Sequence, residues 1–492
     1  MSARAELGTL EASGLIEIAA LQPELEYLFR HALVQDAAYA SLLKQDRRAL
    51  HRAAAEIILA LQPDRARELA GVIGMHFEKA GDNARAAEQL AVAGDHALER
   101  FANRESIDFY SRAGALADES QLDLRLRAAI GRAKAGWTFA TSGGEIDQLE
   151  KALEATGGGA EKRLASDAYF WVAFLRRQQG EVPETSPALK DALDRAAQIG
   201  TELGDPSAAA LPRALMGSYI GFTGKLREGA KQMRDALDII EMSGDVVSIA
   251  MISDFLALAY ARLGEFDAAA STIERAQKYA GDLDAIARVD IDIAQSGLDL
   301  ERGEAEAARN AAQSCSIRAE NLGAYACVVA SNVMFGAASL AGKDARGAKG
   351  PLERGSELCQ VTNMAPMRTL LQALLGSTRA LLGDLPGGIA GWDAALAGAR
   401  GMNDRYGEAQ TLWGRGRTYS HEPNLDWTAA LADLNAAIGL FEDMEARPAL
   451  ARALHDRAQA LRATGKGEQA ARDEERSAQL GRELGLKDMP LA

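Results

Sequence analysis

The residues best suited to acid–base chemistry lie in one stretch near the start of the chain, YLFRHALVQDAAYASLLKQDRRALH, from Tyr27 to His51. This stretch contains His31, His51, aspartate and the adjacent arginines Arg47 and Arg48. A histidine close to a carboxylate can act as a general base. The same residue types also occur at the junction between two structural units, so their role depends on the elements that position them.

The other residues with reactive side chains form no local site. The six histidines make neither an HxxxH nor an HExxH pattern, the spacings that present two zinc ligands on one helix face. The three cysteines contain no CxxC pair and are expected to be buried free thiols in a reducing compartment. A catalytic pair whose two residues lie on distant helices leaves no spacing pattern in the sequence. The sequence therefore predicts no catalytic, cofactor-binding or metal-binding residue.

Two stretches imitate a phosphate-binding loop. GKLREGAK (224–231) and GKDARGAK (342–349) both read GxxxxGAK. A Walker loop needs GK followed by Ser or Thr, so that the lysine reaches the phosphates and the hydroxyl reaches magnesium. Here alanine precedes the lysine and no hydroxyl follows. We interpret both stretches as turns between helices, and we predict that the chain is not an enzyme.

The composition is that of a folded, acidic, helix-rich chain. Of its 492 residues, 48% are hydrophobic and 25% charged, whereas aromatic residues make up only 5%. Small side chains at high density suit closely packed helices better than sheets. The formal net charge of −15 opposes binding to nucleic-acid phosphates. The start of the chain, MSARAELGTLEASG, has no apolar core of signal-peptide length, and no stretch of about 18 apolar residues predicts a membrane span. We therefore expect a cytoplasmic protein that binds neither nucleic acid nor membrane.

A repeat of about 40 residues organises most of the chain. Five segments of equal length align with glycine at the eighth place and a small residue five places later. Glycine can end the first helix of a pair because a left-handed backbone costs it little. The small residue then lies where the two helices approach each other. The turn glycines of the five segments are Gly81, Gly264, Gly303, Gly383 and Gly465.

This pattern resembles the tetratricopeptide repeat. Gly224 and Gly342 occupy the same turn, and the turn glycines from Gly224 to Gly383 recur at intervals of about 40 residues. HEAT and armadillo arrays, with periods of about 40 to 47 residues, are the alternative, but the glycine and small-residue signature disfavours them. The resemblance implies an all-α fold, a tetratricopeptide-like α-solenoid in which helix pairs form a right-handed superhelix. The loop at 420–426 is expected to contain a further turn.

The segment at 1–30 differs from the repeats. GLIEI (14–18) and LEYLF (25–29) are short apolar runs around Gln22-Pro23-Glu24, and they predict a β-hairpin after a helix end. A helix followed by a hairpin is the second half of a winged-helix unit. We predict a partial winged helix at 1–30, one junction helix within 31–66 and the repeat array at 67–492.

The array is divergent at about 102–204. Amphipathic patterns still predict helices there, at 103–118, 122–138, 145–155, 160–179 and 186–200. We interpret this region as part of one continuous array. A domain boundary at 140–160 is the alternative, because glycine-rich links interrupt the pattern there.

The junction helix carries a more specific resemblance. Its motif comprises Phe29, His31-Ala32-Leu33, Ala38-Tyr39, Leu42-Leu43, Arg47-Arg48 and Leu50-His51. In this order the residues resemble the junction helix of bacterial STAND-type signalling ATPases, which often carry an adenylate/guanylate cyclase domain and a C-terminal tetratricopeptide array. The resemblance implies that the chain is the regulatory C-terminal part of such a protein, with the ATPase or cyclase module encoded upstream. The apolar residues of the motif are then expected to be buried, and Arg47, Arg48 and His51 either contact that module or remain solvated.

The predicted function is that of a regulatory protein-interaction scaffold. In tetratricopeptide arrays the first helix of each pair lines the concave face, where a peptide, a protein or a small effector can bind. The alternatives are part of an ATP-binding cyclase or ATPase, which the missing nucleotide modules disfavour, and an ATP-dependent transcriptional regulator, which the acidic charge disfavours. The repeat register places four charged residues near this concave face, namely Asp254, Arg262, Asp290 and Glu301. The alternative interpretation is that these four residues lie on solvated helix surface.

Overall fold

The computed structural model describes residues 3–20, 26–100, 102–139, 144–281 and 285–488. Within these ranges the strands are β1 (Ile16–Ala20) and β2 (Glu26–Phe29), which pair antiparallel. They follow helix α1 (Ala3–Ala12), in the order that the sequence predicts. The predicted turn at Gln22-Pro23-Glu24 lies outside the described residues.

The remaining regular elements of the described ranges are helical. The first seven are α2 (Ala32–Ser41), α3 (Lys44–Leu61), α4 (Ala70–Ala80), α5 (Asn83–Glu99), α6 (Asn103–Leu116), α7 (Leu122–Phe139) and α8 (Glu145–Ala155). Short 3₁₀ turns occur at Pro63–Arg65 and Glu241–Ser243. The helices of the divergent region, up to the tenth, lie within a few residues of the predicted ranges.

From α9 onward the helices pack as consecutive antiparallel pairs. The fold is therefore the predicted all-α, tetratricopeptide-like solenoid with a short hairpin before it. The pairs are α9 (Lys162–Gln178) with α10 (Pro187–Glu202), α11 (Pro206–Phe222) with α12 (Leu226–Ile240), α13 (Val246–Leu263) with α14 (Phe266–Ala280), α15 (Ala285–Arg302) with α16 (Ala305–Asn321), α17 (Tyr325–Ala341) with α18 (Ala345–Thr362), α19 (Ala365–Leu381) with α20 (Leu385–Gly401), α21 (Arg405–Tyr419) with α22 (Trp427–Asp443), and α23 (Arg447–Ala463) with α24 (Gly467–Leu484).

The turn glycines reverse the chain as predicted, with one exception. Gly264, Gly303 and Gly465 have φ values of 80°, 85° and 78°, in the left-handed region that glycine enters at little cost. At Gly342 the prediction of a left-handed glycine is wrong, because φ is −75°. Lys343 adopts the positive φ of 61° instead. In these turns the left-handed residue directly precedes the N-cap of the second helix. Here Lys343, and not Gly342, precedes the N-cap residue Asp344, so the reversal falls on the lysine.

Small residues allow the two helices of a pair to approach, as the repeat pattern predicts. Ala269 and Ala308 are completely buried. Ser296 donates a hydrogen bond of 2.8 Å from its Oγ to the carbonyl oxygen of Ala308 on the partner helix. A Cβ added to Gly376 would lie only 2.9 Å from the carbonyl oxygen of Gly388. Larger side chains at these places would separate the helices.

Successive turns of the superhelix come into contact after five helix pairs. α7 contacts α17, and α13 contacts α23, so a first helix meets the first helix found ten helices later. The connection after α9 shows the same offset of ten helices, because a Cβ on Gly180 would lie 2.8 Å from Ala365 at the start of α19. The largest core cluster accordingly joins side chains of α7 to α15 with side chains of α20 to α24. Successive turns of the superhelix are therefore packed against each other.

The junction segment forms two helices where the sequence predicts one. α2 and α3 are separated at Leu42 and Leu43, whose extended backbones have ψ values of 140° and 148°. None of the residues of α2 is buried. α3 packs on α4 through Ala55, which lies in a small core with Ile73 and Phe77.

α13 is the most apolar long helix of the array. The expectation that no stretch is apolar over the length of a membrane span is wrong for this helix, which by length and composition could cross a membrane, with a mean hydropathy of 1.7. However, 61% of this helix is buried within the protein, where it contacts α12, α14 and α15. Its apolar character is accounted for by its position in the core.

Candidate interaction surfaces

Two of the four predicted groove residues converge on one tyrosine. Arg262 lies at the end of α13 and Glu301 at the end of α15, and both contact Tyr406 in the first turn of α21. The Arg262 guanidinium lies over the Tyr406 ring, 4.0 Å from its centre. The Tyr406 hydroxyl donates a hydrogen bond of 2.7 Å to Glu301 Oε1. These two groove residues therefore contact the next turn of the superhelix.

Arg452 on α23 strengthens the same contact. Its Nε donates a hydrogen bond of 2.7 Å to Asp488, its Nη1 lies 3.3 Å from Glu301 Oε2, and its Nη2 donates to the Glu301 carbonyl oxygen at 2.8 Å. The side chains of Arg452 and Glu301 are only 12% and 13% exposed. Burial lowers the pKa of Arg452, but the carboxylates of Glu301 and Asp488 outweigh it and raise the pKa above its ordinary value. We name Glu301, Tyr406, Arg452 and Asp488 the inter-turn clasp.

The other two predicted groove residues lie deeper in the array. Asp254 Oδ1 is buried and has no hydrogen-bond partner among the described residues. Burial raises the pKa of Asp254 well above its ordinary value, and the negative charge of Asp290 raises it further. Asp290 is 8% exposed and accepts a weak hydrogen bond of 4.0 Å from the thiol of Cys327. The structure thus brings Asp254 and Asp290 into electrostatic contact on neighbouring first helices.

Arg177 is an interior residue that the sequence did not single out. Its guanidinium lies 5.8, 5.1 and 4.8 Å from the ring centres of Tyr219, Phe222 and Phe255. Burial lowers its pKa. The cavity beside Arg177 has a volume of about 20 Å³, enough for a single water molecule. Arg177 lies in the divergent region, where no clear repeat register indicates which residues face inward.

The residues with reactive side chains are placed as structural residues. Within the described ranges, no group of three or more His, Cys, Asp and Glu residues is arranged to hold a metal ion. The three cysteines are buried and free, as predicted, and burial raises the pKa of each thiol. Both GxxxxGAK stretches lie at turns between helices, with Lys231 inside α12 and Lys349 inside α18.

The predicted junction histidine, His51, connects three helices. Its Nε2 lies 3.0 Å from the hydroxyl of Tyr39 on α2, and its Nδ1 lies 2.9 Å from His76 Nδ1 on α4. Burial lowers the pKa of His51, and the positive charge of Lys79 lowers it further. Burial also lowers the pKa of His76, and electrostatic interactions with His51 and Lys79 lower it further. Both imidazoles are therefore favoured in the neutral form, in which they can share a proton in a hydrogen bond.

The two predicted junction arginines lie in the first turns of α3. The Arg47 guanidinium lies 5.1 Å from the centre of the Tyr39 ring. The Arg48 guanidinium lies beside Gly81, 3.5 Å from the place that a Cβ would take there. Arg48 thus contacts the end of α4, whereas Arg47 contacts α2.

The apolar residues of the junction motif are largely exposed, so the prediction that they are buried is wrong. Leu33, Leu43 and Leu50 are 82%, 72% and 57% exposed. α3 packs on α4 with its opposite face, and no described element covers this side. Among the described residues, 12 of the 22 exposed large apolar side chains lie between residues 10 and 72. The exposed residues of the motif are Phe29, Leu33, Tyr39, Leu43 and Leu50, with Leu42 half-buried.

The comparisons with known proteins concern the fold alone. No family model matches the sequence, and no curated protein matches it. Among solved structures, a Rap protein complexed with competence and sporulation factor has 14% identity and a TM-score of 0.46, covering 81% of this chain and 98% of that chain. The APC/C hetero-tetramer Cut9–Hcn1 has 14% identity and a TM-score of 0.48, covering 92% and 90%. The quorum sensor NprR from B. thuringiensis has 14% identity and a TM-score of 0.43, covering 73% and 99%. Likenesses this distant carry no functional argument, and the fold assignment rests on the helix pairs and turns described above.

Proposed function

We propose that this chain is a non-catalytic regulatory scaffold that docks onto a partner protein through α2 and α3. The observation that carries the proposal is the concentration of exposed apolar side chains between residues 10 and 72. Contiguous apolar surface that a folded protein leaves exposed commonly marks a site of protein interaction. Because no residue of α2 is buried, a partner that covers this helix would stabilise it most.

The concave face is less suited to be the first docking site. Arg262 and Glu301 already contact Tyr406 of the next superhelical turn. A ligand bound to these two side chains would have to displace Tyr406, and Glu301 would also lose its bond to Arg452. Breaking a buried ion pair costs several kcal/mol, about 3 to 5. A ligand site at Asp254, Arg262, Asp290 and Glu301 therefore requires the superhelix to open first.

We further propose that the partner is an ATPase or cyclase module, encoded upstream and acting with this chain in the cytoplasm. The resemblance of the motif from Phe29 to His51 to the junction helix of STAND-type ATPases supports this partner. In such an arrangement the array would restrain or release the module according to a signal, and the nucleotide chemistry would belong to the module. The two GxxxxGAK turns lack the residues that bind magnesium and phosphate.

Calorimetric titration of the upstream-encoded module into the chain tests the proposal. Three forms are compared: the wild type, Ile57→Asp on α3 and Ile317→Asp on α16. The two isoleucines form a matched pair, since they are 55% and 57% exposed. We expect at least tenfold weaker binding for Ile57→Asp and unchanged binding for Ile317→Asp. Equal binding by all three forms would refute docking through α3. A saturable magnesium-dependent ATP signal from the chain alone would refute its non-catalytic role.

A further inference from the structure

Two histidines join α3 to α4 through their rings. His51 Nδ1 lies 2.9 Å from His76 Nδ1, and the ring centres are 5.1 Å apart. At this distance one Nδ1 carries a proton and the other accepts it in a hydrogen bond. The other ring nitrogen of His51 lies 3.0 Å from the hydroxyl of Tyr39 on α2. We name Tyr39, His51 and His76 the histidine bridge, because they connect three helices by two hydrogen bonds.

The number of protons on the two imidazoles decides whether the contact between them holds. When both are neutral, a single proton lies between the two Nδ1 atoms. A first added proton binds at an Nε2 atom, remote from this contact, so the hydrogen bond between the rings is kept. A second added proton must bind at the accepting Nδ1. Two N–H groups of two imidazolium cations then face each other, and repulsion replaces the hydrogen bond.

The surroundings of the bridge oppose its protonation. Burial lowers the pKa of both imidazoles, and the positive charge of Lys79 on α4 lowers both further. Among the described residues no carboxylate, including that of Asp36 on α2, contributes to the pKa of either imidazole. Glu78 at the end of α4 and Asp82 before α5 are instead held in ion pairs with arginines, at 2.6 Å each. No nearby carboxylate therefore compensates a second positive charge on the bridge.

The first half of α3, residues 44–52, carries positive charge on the face of His51. At about 100° per residue, Asp46 lies about 140° around the helix from His51. The cations within about 60° of His51 are Lys44, Arg47 and Arg48. Protonated imidazoles would therefore meet positive charge from both α3 and α4.

The bridge lies where α3 has few apolar contacts to α4. Ala55 is the buried residue of α3, and its small core with Ile73 and Phe77 lies one turn beyond His51. Leu50, beside His51, is 57% exposed. The first half of α3 is therefore held against α4 mainly by polar contacts, and the histidine bridge is the shortest of those described above.

We infer that the histidine bridge is a pH-sensitive contact, which holds the first half of α3 against α4 at neutral pH and releases it when both imidazoles are protonated. The inference concerns this chain alone and goes beyond the proposed function. Because the pKa of each imidazole is lowered in the folded chain, the stability that the bridge contributes is present above the ordinary value of 6.5 and is lost as pH falls below it. Any effect of this release on docking through α2 and α3 rests on the proposed function.

Hydrogen–deuterium exchange at pH 7.5 and pH 5.5 tests the inference on the wild type and two variants. Protection factors, which correct for the pH dependence of the intrinsic exchange rate, are compared at amides 48–55. Each imidazole that gains a proton only on opening raises the open population by up to about tenfold per pH unit below 6.5. We expect the protection factors of the wild type to fall at least tenfold.

The two variants separate the bridge from other effects of acid. In His76→Asn an amide that is not protonated in this range replaces the imidazole, so we expect a loss of protection below threefold. His455→Asn makes the same substitution inside α23, at a histidine of similar exposure, and should behave as the wild type. Histidine NMR of the wild type should show His51 and His76 titrating below 6.5 in two coupled steps.

Three results would overturn the inference. They are a wild-type loss of protection smaller than tenfold, an equal loss in wild type and His76→Asn, and imidazoles that titrate independently at their ordinary pKa. Circular dichroism at pH 7.5 checks the helix content of each variant, and the wild-type exchange and titration decide the question if His76→Asn does not fold. The module titration at neutral pH tests the proposed function separately.

Discussion

Successive turns of the superhelix pack against each other after five helix pairs. We therefore expect alanine to reduce the stability of the chain by different amounts at two equivalent turn glycines. Gly303 and Gly465 occupy the same place in the repeat, with φ values of 85° and 78°. Alanine at either place costs about 1 to 2 kcal/mol for a left-handed backbone. Around Gly465 an added Cβ meets nothing within 4 Å, whereas at Gly303 it would lie 2.7 Å from the backbone nitrogen of Asp488. Only Gly303→Ala must therefore move the following superhelical turn.

The additional cost at Gly303 follows from the contacts that this movement breaks. The Lys487 backbone nitrogen donates a hydrogen bond of 2.9 Å to the carbonyl oxygen of Arg302. Arg452 Nε donates a bond of 2.7 Å to Asp488, which is one-third exposed. Each of these bonds contributes about 1 kcal/mol net. Gly303→Ala should then be less stable than Gly465→Ala by about 2 kcal/mol, the sum of the two bonds.

Urea unfolding followed by far-ultraviolet circular dichroism measures the difference in the free energy of unfolding. Because a helical array can unfold in segments, amide hydrogen exchange should accompany it. Exchange should accelerate in Gly303→Ala at residues 484–488 and at the end of α15, and it should stay unchanged there in Gly465→Ala. Equal losses of stability in the two variants, with no change at residues 484–488, would refute the contact between successive turns.

Three further predictions concern the interior. Arg452→Met should cost about 3 kcal/mol in urea unfolding, because it leaves the buried Glu301 carboxylate without its cation; a loss below about 1 kcal/mol would show that the clasp contributes little. Asp254→Asn should be more stable than the wild type at neutral pH. The raised pKa of Asp254 means that ionisation destabilises the folded chain as pH rises above the ordinary value of 3.8. The advantage of Asp254→Asn should disappear below about pH 4, and an advantage independent of pH would contradict this cause. The three cysteines should resist alkylation in the folded chain, since burial raises their pKa values; rapid labelling followed by mass spectrometry would show that they are accessible.

Much of the fold could be predicted because it is encoded by short-range signals. Turn glycines such as Gly264 mark where each first helix ends, and small residues such as Ala308 mark where two helices touch. Both signals lie within the sequence of a single helix pair. The exception at Lys343 has the same origin, because Lys343 stands between Gly342 and the N-cap residue Asp344 and takes the place at which the chain reverses.

The candidate surfaces were less predictable because they depend on contacts between distant parts of the chain. The repeat register places Arg262 and Glu301 on first helices, but it contains no information about the rotation from one pair to the next. That rotation brings Tyr406 against both residues. On α3, apolar periodicity predicts a buried side for Leu43 and Leu50, since periodicity reports which residues share a face. It does not report whether the covering element belongs to the same chain.

Hydrogen–deuterium exchange of the chain with and without the upstream-encoded module tests whether α2 and α3 form the docking surface. We expect slower exchange in α2 and α3 on binding, at amides 32–61, and little change along α13 and α15. The Ile57→Asp variant should lose this protection, and Ile317→Asp should retain it. Protection along α13 and α15, with α2 and α3 unchanged, would refute docking through α2 and α3 and assign partner binding to the concave face.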